Sequence, residues 1–171
     1  MLPATLIKDA AYEACRAYVL TPPFKAGQFR LALEEERDLH VEVQQRLMPD
    51  GTFGLCVAES TAQFVIFYHS LLRSVLQREA TIWHELGHIF LDHVTPRRNR
   101  FRLKAAYDPG LAFTIFHDTA EDYEAELFAR TMLRYALGHN GRGYDLSVAA
   151  RQRDPERASQ LKRFFDELAL R

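Results

Sequence analysis

Cysteine is scarce in this chain: the 171 residues hold only Cys15 and Cys56. Two thiols make no disulfide framework, and the expectation is a pair of reduced core thiols in a cytoplasmic protein. Long apolar runs are missing as well. The longest, Phe64 to Phe67, falls far short of the roughly 20 residues that cross a bilayer as a helix, so no membrane partner is expected. The opening residues, Met1-Leu2-Pro3-Ala4-Thr5, lack the basic and apolar regions of a secretory signal. Neither sign of charge dominates, with 22 Lys+Arg against 23 Asp+Glu and a net charge of −1. Without a global basic field, direct sequence-specific nucleic-acid binding is not expected. There is no fixed-period repeat and no Gly/Ser-rich linker, and a content of 47% hydrophobic and 26% charged residues is ordinary for a globular protein. The whole chain, 1–171, is therefore expected to form a single domain with a core of its own.

What is present is a change of hydrophobic period along the chain. Leu6, Ile7, Ala10, Ala14 and Tyr18 recur at helical spacing from Thr5 to Leu20, and Thr21-Pro22-Pro23 ends the pattern. Phe29 to Arg37 reads as a second, short helix, so helices occupy 5–37. Leu39, Val41 and Val43 then alternate with polar residues as a half-buried strand does. Pro49-Asp50-Gly51 is a turn, and Phe53–Ala58 and Gln63–His69 read as two further strands. The short connections predict an antiparallel three-stranded β-meander. Ser74-Val75-Leu76-Gln77 fits a capping box that opens a helix running to about Asp92. Arg97 to Lys104 is a basic stretch, read as a solvated loop or as a docking site for an acidic surface. Asp108-Pro109-Gly110 is a turn. A long helix starts at Asp118 or Thr119 and ends at Gly138, the loop Asn140-Gly141-Arg142-Gly143 follows, and Asp154-Pro155 opens a last helix over 155–169. The fold class is α+β, with the meander packed on a helical bundle.

His84-Glu85-Leu86-Gly87-His88 carries the chemistry. It matches H-E-x-x-H inside a helix predicted independently from periodicity, and chance arrangement yields the pattern roughly 0.02 times per chain. One turn separates the two histidines, so both imidazoles reach one face and can share a tetrahedral Zn²⁺. Glu85 lies about 100° round the helix, too far to be an ideal ligand. It is well placed to take a proton from water activated by the metal. A catalytic site of this type needs a third protein ligand. His93 follows His88 by five residues, without the glycine and six-residue spacing of metzincins. His117 is a second candidate. The best candidates lie in Glu121-Asp122-Tyr123-Glu124-Ala125-Glu126. Asp122, Ala125, Ala129 and Met132 share one helical stripe, whose alanines permit close approach to the histidine helix. Acids there also suit a first helical turn for the sake of the dipole alone. Gly87 costs its helix about 1 kcal/mol, which makes sense if backbone or substrate passes close by.

These residues together resemble the ImmA/IrrE family of metallopeptidases. His84-Glu85-Leu86-Gly87-His88-Ile89-Phe90-Leu91-Asp92-His93 is similar to that family's HELGHxxLxH, and Asp122-Tyr123-Glu124-Ala125-Glu126-Leu127-Phe128-Ala129 to its E-x-E-A-[ND]-x-F-A helix. The matched region is about 39–137. The resemblance implies a zincin-like, gluzincin-type site in which Asp122 is the third ligand and Glu126 supports a histidine from behind. The family usually has Glu first and Asn or Asp second, so Glu121 and Glu124 stay open as ligands. The implied activity is zinc-dependent, site-specific endopeptidase cleavage of a helix-turn-helix transcriptional repressor, as in phage, mobile-element or stress regulation. Zn²⁺ suits two histidines and a carboxylate, and Mn²⁺ or Fe²⁺ would also fit. The rival reading is a catalytically silent metal-binding interaction module, such as an antitoxin or regulator, which would have no need of Glu85. A donor for a developing oxyanion would come from His117, Tyr107, Tyr135 or Tyr144.

Overall fold

Helix α1 (Ala4–Ala17) buries Ile7, Ala11, Ala14 and Cys15, a stripe at helical spacing. It packs on α4 (Thr119–Ala136), where the Cys15 Sγ lies 3.5 Å from the Met132 Sδ. Helix α2 (Ala26–Arg37) starts three residues earlier than its apolar pattern suggests. Its first free N–H, on Ala26, donates to the Glu79 carboxylate at 3.0 Å, and the Lys25 N–H donates to the Gln28 side chain at 2.9 Å. Helix α3 (Val75–Phe90) begins after Ser74, but the expected capping box is absent, because the Ser74 side chain makes no cap hydrogen bond. These elements belong to a computed structural model that describes residues 2–49, 52–96 and 119–136. All of them fall within one unit of the chain, Met1–Leu137. The expected helix over 155–169, the basic stretch from Arg97, the Asp108 turn and His117 lie outside the described residues.

The class is α+β, as expected, with four helices and one three-stranded sheet among the described residues. The antiparallel meander is incorrect. Strands β1 (His40–Arg46), β2 (Gly54–Ala58) and β3 (Gln63–His69) lie in the order β1-β3-β2. Strand β1 runs parallel to β3, with His40 opposite Gln63 and Arg46 opposite His69. Strand β2 runs antiparallel to β3, from Gly54 opposite Tyr68 to Ala58 opposite Phe64. A short link does not force its two strands to be neighbours. The segment from Arg46 to Gly54 spans the end of β3, a step of two strand spacings or about 9.6 Å. Burial on both faces separates β1 from the other two strands, since β2 is buried from Leu55 to Ala58 although it lies at an edge. Phe64, Val65, Ile66 and Phe67 of β3 are all buried, whereas β1 alternates.

The two faces of the sheet feed separate clusters. Val41, Cys56, Ala58, Phe64 and Ile66 join the main core with the helices, while Leu55, Val57, Val65 and Phe67 pack with Met48 on the other face. In the main core the Phe29 ring lies 5.2 Å from Trp83, 5.9 Å from Phe90 and 5.8 Å from Phe128, and Phe90 stacks on Phe128 at 5.0 Å. This aromatic block fixes α3 against α4, the pair of helices that carries the predicted site. Among the described residues no helix is long and apolar enough to cross a membrane.

Candidate metal centre

Helices α3 and α4 cross at Gly87. A Cβ there would lie 3.1 Å from the Ala125 carbonyl oxygen and 3.3 Å from its Cα. The close approach that the alanine stripe suggested is therefore present, with Ala125, Ala129 and Met132 all buried. It brings His84 and His88 of α3 together with Asp122 of α4. One ligand atom from each lies within 4.8 Å of the others, and among the described residues this is the group of that kind. The His84 and His88 Nε2 atoms are 3.1 Å apart, and the His88 Nε2 is 3.3 Å from the Asp122 Oδ1. Ligand bonds of 2.0–2.1 Å in a tetrahedron put donor atoms about 3.3–3.4 Å apart. Two of the three separations match that spacing, and the donor set is one that could hold a divalent ion such as Zn²⁺.

Charge around the cluster also suits a cation. Burial opposes protonation of His84, yet the hydrogen bond to Glu126 and the charges of Glu85, Glu126 and Asp122 outweigh it and lift its pKa above the ordinary imidazole value. Glu126 sits behind His84, with its Oε2 3.5 Å from the His84 Nδ1, and accepts a hydrogen bond from the Arg130 Nε at 2.6 Å. Burial would raise the Glu126 pKa, but the bonds from His84 and Arg130 prevail and hold it below the usual carboxylate value. Glu126 therefore stands where the resemblance expected a support for a histidine. Arg130, not anticipated, is a helical i,i+4 partner that the spacing could have revealed.

Glu85 is 7% exposed and points to the start of strand β2. A Cβ on Gly54 would stand 2.5 Å from its Oε1 and 2.5 Å from the Thr81 Cγ2. Only a glycine lets the strand pass this close without displacing the carboxylate. Nothing in the sequence paired Gly54 with Glu85, because that contact depends on the strand order.

His93 and Glu124, weighed as ligands, lie behind His88 instead. The His93 Nδ1 is 3.2 Å from the His88 Nδ1, and its Nε2 donates to the Glu124 Oε2 at 3.1 Å. Glu124 also accepts the Leu2 N–H. Burial, followed by the nearby His88, lowers the His93 pKa below the usual imidazole value, although Glu124 and Glu121 pull the other way. The end of α3 explains the placement. Asp92 takes the left-handed conformation at φ 58°, the His93 N–H bonds the His88 carbonyl at 2.9 Å, and the Asp92 N–H bonds that of Ile89 at 3.1 Å. This is a Schellman cap, which folds the second residue past the cap onto the third from the helix end. Here both are histidines, so the five-residue spacing of His88 and His93 was the signal. Arg37 secures the cap, bonding the Phe90 carbonyl at 2.9 Å and Asp92 at 3.2 Å. Glu121 is outside the group of three. Tyr135 packs its ring against Tyr12 and Phe24.

No family model matches the chain, and no curated protein matches it.

Proposed function

We propose that the chain is a zincin-like, metal-dependent site-specific endopeptidase, with His84, His88 and Asp122 as ligands and Glu85 as the general base. The observation that carries this reading is the convergence of two imidazole nitrogens and a carboxylate oxygen within 4.8 Å, beside a buried glutamate that such a cage does not need for binding. A bound Zn²⁺, or Mn²⁺ in its place, would acidify a water molecule and polarise a peptide carbonyl. Glu85 would take a proton from water as its oxygen adds to the peptide carbonyl carbon, and give it to the amine that departs when the C–N bond breaks. Glu126 holds the His84 ring from behind, through the Nδ1 that faces it. Gly54 keeps strand β2 clear of the Glu85 carboxylate.

The substrate proposed is a helix-turn-helix repressor in the cytoplasm, and this rests on the family resemblance alone. The test is Glu85→Gln, which keeps size and hydrogen bonding but removes the base. The full chain with Zn²⁺ is incubated with the repressor encoded beside it. Wild-type protein is expected to give two fragments from a single cut. The variant is expected to bind Zn²⁺ as before and to cleave about 10²–10⁴-fold more slowly. If repressor inactivation proceeds equally well with Glu85→Gln, the protein works by binding rather than by cutting.

A further inference from the structure

We propose that His93 and Glu124 form a tautomer relay that strips the hydrogen from the His88 Nε2 and presents its lone pair to the metal position. The proposal rests on the metal-site reading above for its purpose, but its geometry stands without it. The two Nδ1 atoms of His88 and His93 lie 3.2 Å apart, so one must donate and the other accept. The other nitrogen of His93 lies 3.1 Å from a Glu124 carboxylate oxygen, which accepts its hydrogen. A neutral His93 with its hydrogen on Nε2 leaves Nδ1 bare. The hydrogen between the two rings then belongs to His88, on Nδ1. Its Nε2 is consequently a lone pair, aimed at the point shared with the His84 Nε2 and the Asp122 Oδ1, 3.1 and 3.3 Å away.

Burial makes the relay binding on its members. His88, His93 and Glu124 are 6%, 8% and 4% exposed, so water does not readily substitute for a lost partner. The Schellman cap holds the His93 backbone beside His88, and the Leu2 N–H gives Glu124 a second hydrogen bond. A bare nitrogen facing a carboxylate oxygen at 3.3 Å is two acceptors in contact, an arrangement that a cation between them relieves. Metal-bound histidines ordinarily donate their other N–H to a carboxylate or carbonyl; here a second imidazole carries the same instruction one ring further. His93 and Glu124 are thus positioning residues, which act on the metal through His88.

The test uses the full chain with ring nitrogens labelled with ¹⁵N. In the metal-free wild type, NMR is expected to show the His88 hydrogen on Nδ1. Glu124→Leu removes the acceptor and should shift His88 toward the Nε2–H form. Zn²⁺ affinity, measured by chelator competition, should fall by about 10–100-fold. Glu124→Gln, whose single amide oxygen still accepts from His93 at the expense of the Leu2 N–H, should keep the wild-type tautomer and lose far less affinity than Glu124→Leu. His93→Gln gives His88 an oxygen acceptor directly, and adding Glu124→Leu to it should cost no further affinity. A His88 hydrogen on Nε2 in the wild type overturns the proposal. So does an unchanged tautomer and affinity in folded Glu124→Leu. If Glu124→Leu does not fold, the wild-type tautomer and the His93→Gln protein decide. A wild-type protein that cleaves nothing, with tautomer and Zn²⁺ affinity as expected, counts against the peptidase reading and leaves the relay standing.

Discussion

Gly87→Ala sets two well-known effects against each other. Alanine is favoured over glycine in a helix interior by about 1 kcal/mol, so an exposed position on α3 would gain stability from the change. Gly87 is not exposed. The added methyl would stand 3.0 Å from the Phe128 Cδ1, 3.1 Å from the Ala125 oxygen and 3.3 Å from the Ala125 Cα, where ordinary contact begins at 3.4 Å. Two of these three atoms are backbone, and Phe128 is clamped by Phe29 and Phe90. Helix α4 therefore has to retreat by a few tenths of an ångström, and overpacking of this kind costs about 1–3 kcal/mol. Strain wins, leaving a net loss of about 1 kcal/mol. Urea unfolding of the metal-free chain measures it. Asp122 lies one helical turn before Ala125, so the same retreat carries its carboxylate away from His88. Zn²⁺ affinity, read by chelator competition, should fall about tenfold, because ligands need placement to within ~0.5 Å. A variant that is about 1 kcal/mol more stable and binds Zn²⁺ as the wild type does would refute the reasoning.

Three further outcomes can be checked directly. Gly54→Ala drives a methyl to 2.5 Å from the Glu85 Oε1; cleavage should be lost while Zn²⁺ binding survives, and a fully active variant would show that Glu85 needs no such clearance. Asp92→Val puts a β-branched residue at φ 58°, which should destabilise the chain by about 1–3 kcal/mol in urea and weaken Zn²⁺ binding through His93. Burial pushes the Cys15 thiol up to about 12 from 9.0; native protein at pH 8 should resist alkylation there, as mass spectrometry would show. With the folded pKa raised, the unfolded state loses its proton first, so stability should hold below pH 9 and decline from 9 toward 12.

The local elements were legible because each rests on a local pattern. The apolar stripe of α1, the alternation in β1 and the H-E-x-x-H spacing all report a periodicity that neighbouring residues enforce. Strand order was not legible from link lengths, since a link constrains how far apart two strand ends lie and not what lies between them. The run Phe64 to Phe67 marks β3 as buried on both faces, but Leu55 to Ala58 marks β2 in the same way, so neither run sets the order. A strand apolar at successive positions has no solvent face, whether it lies in the middle or at an edge covered from both sides. At the site, His84, His88 and Asp122 came from spacing and resemblance, and the structure places them together. The place of His93 behind His88 was missed because it was weighed by distance in sequence from the H-E-x-x-H motif, when the geometry of a helix ending decides where it goes. Ser74 shows the reverse error, a sequence pattern for a cap whose side-chain bond is not made.

The parallel pairing of β1 with β3 has a consequence for how the chain comes together. Strands β2 and β3 are joined by a tight hairpin and can zip locally, but β1 has no partner until β3, the last of the three to be synthesised, is in place. A nascent chain released before Gln63 would carry two strands and no sheet. Shuffling β1 to the far side of β2 would leave the doubly apolar β3 at an open border, where it would recruit other molecules. The seam that aligns α3 above Gly54 is thus closed late, and Glu85 has its final surroundings only once the whole platform exists.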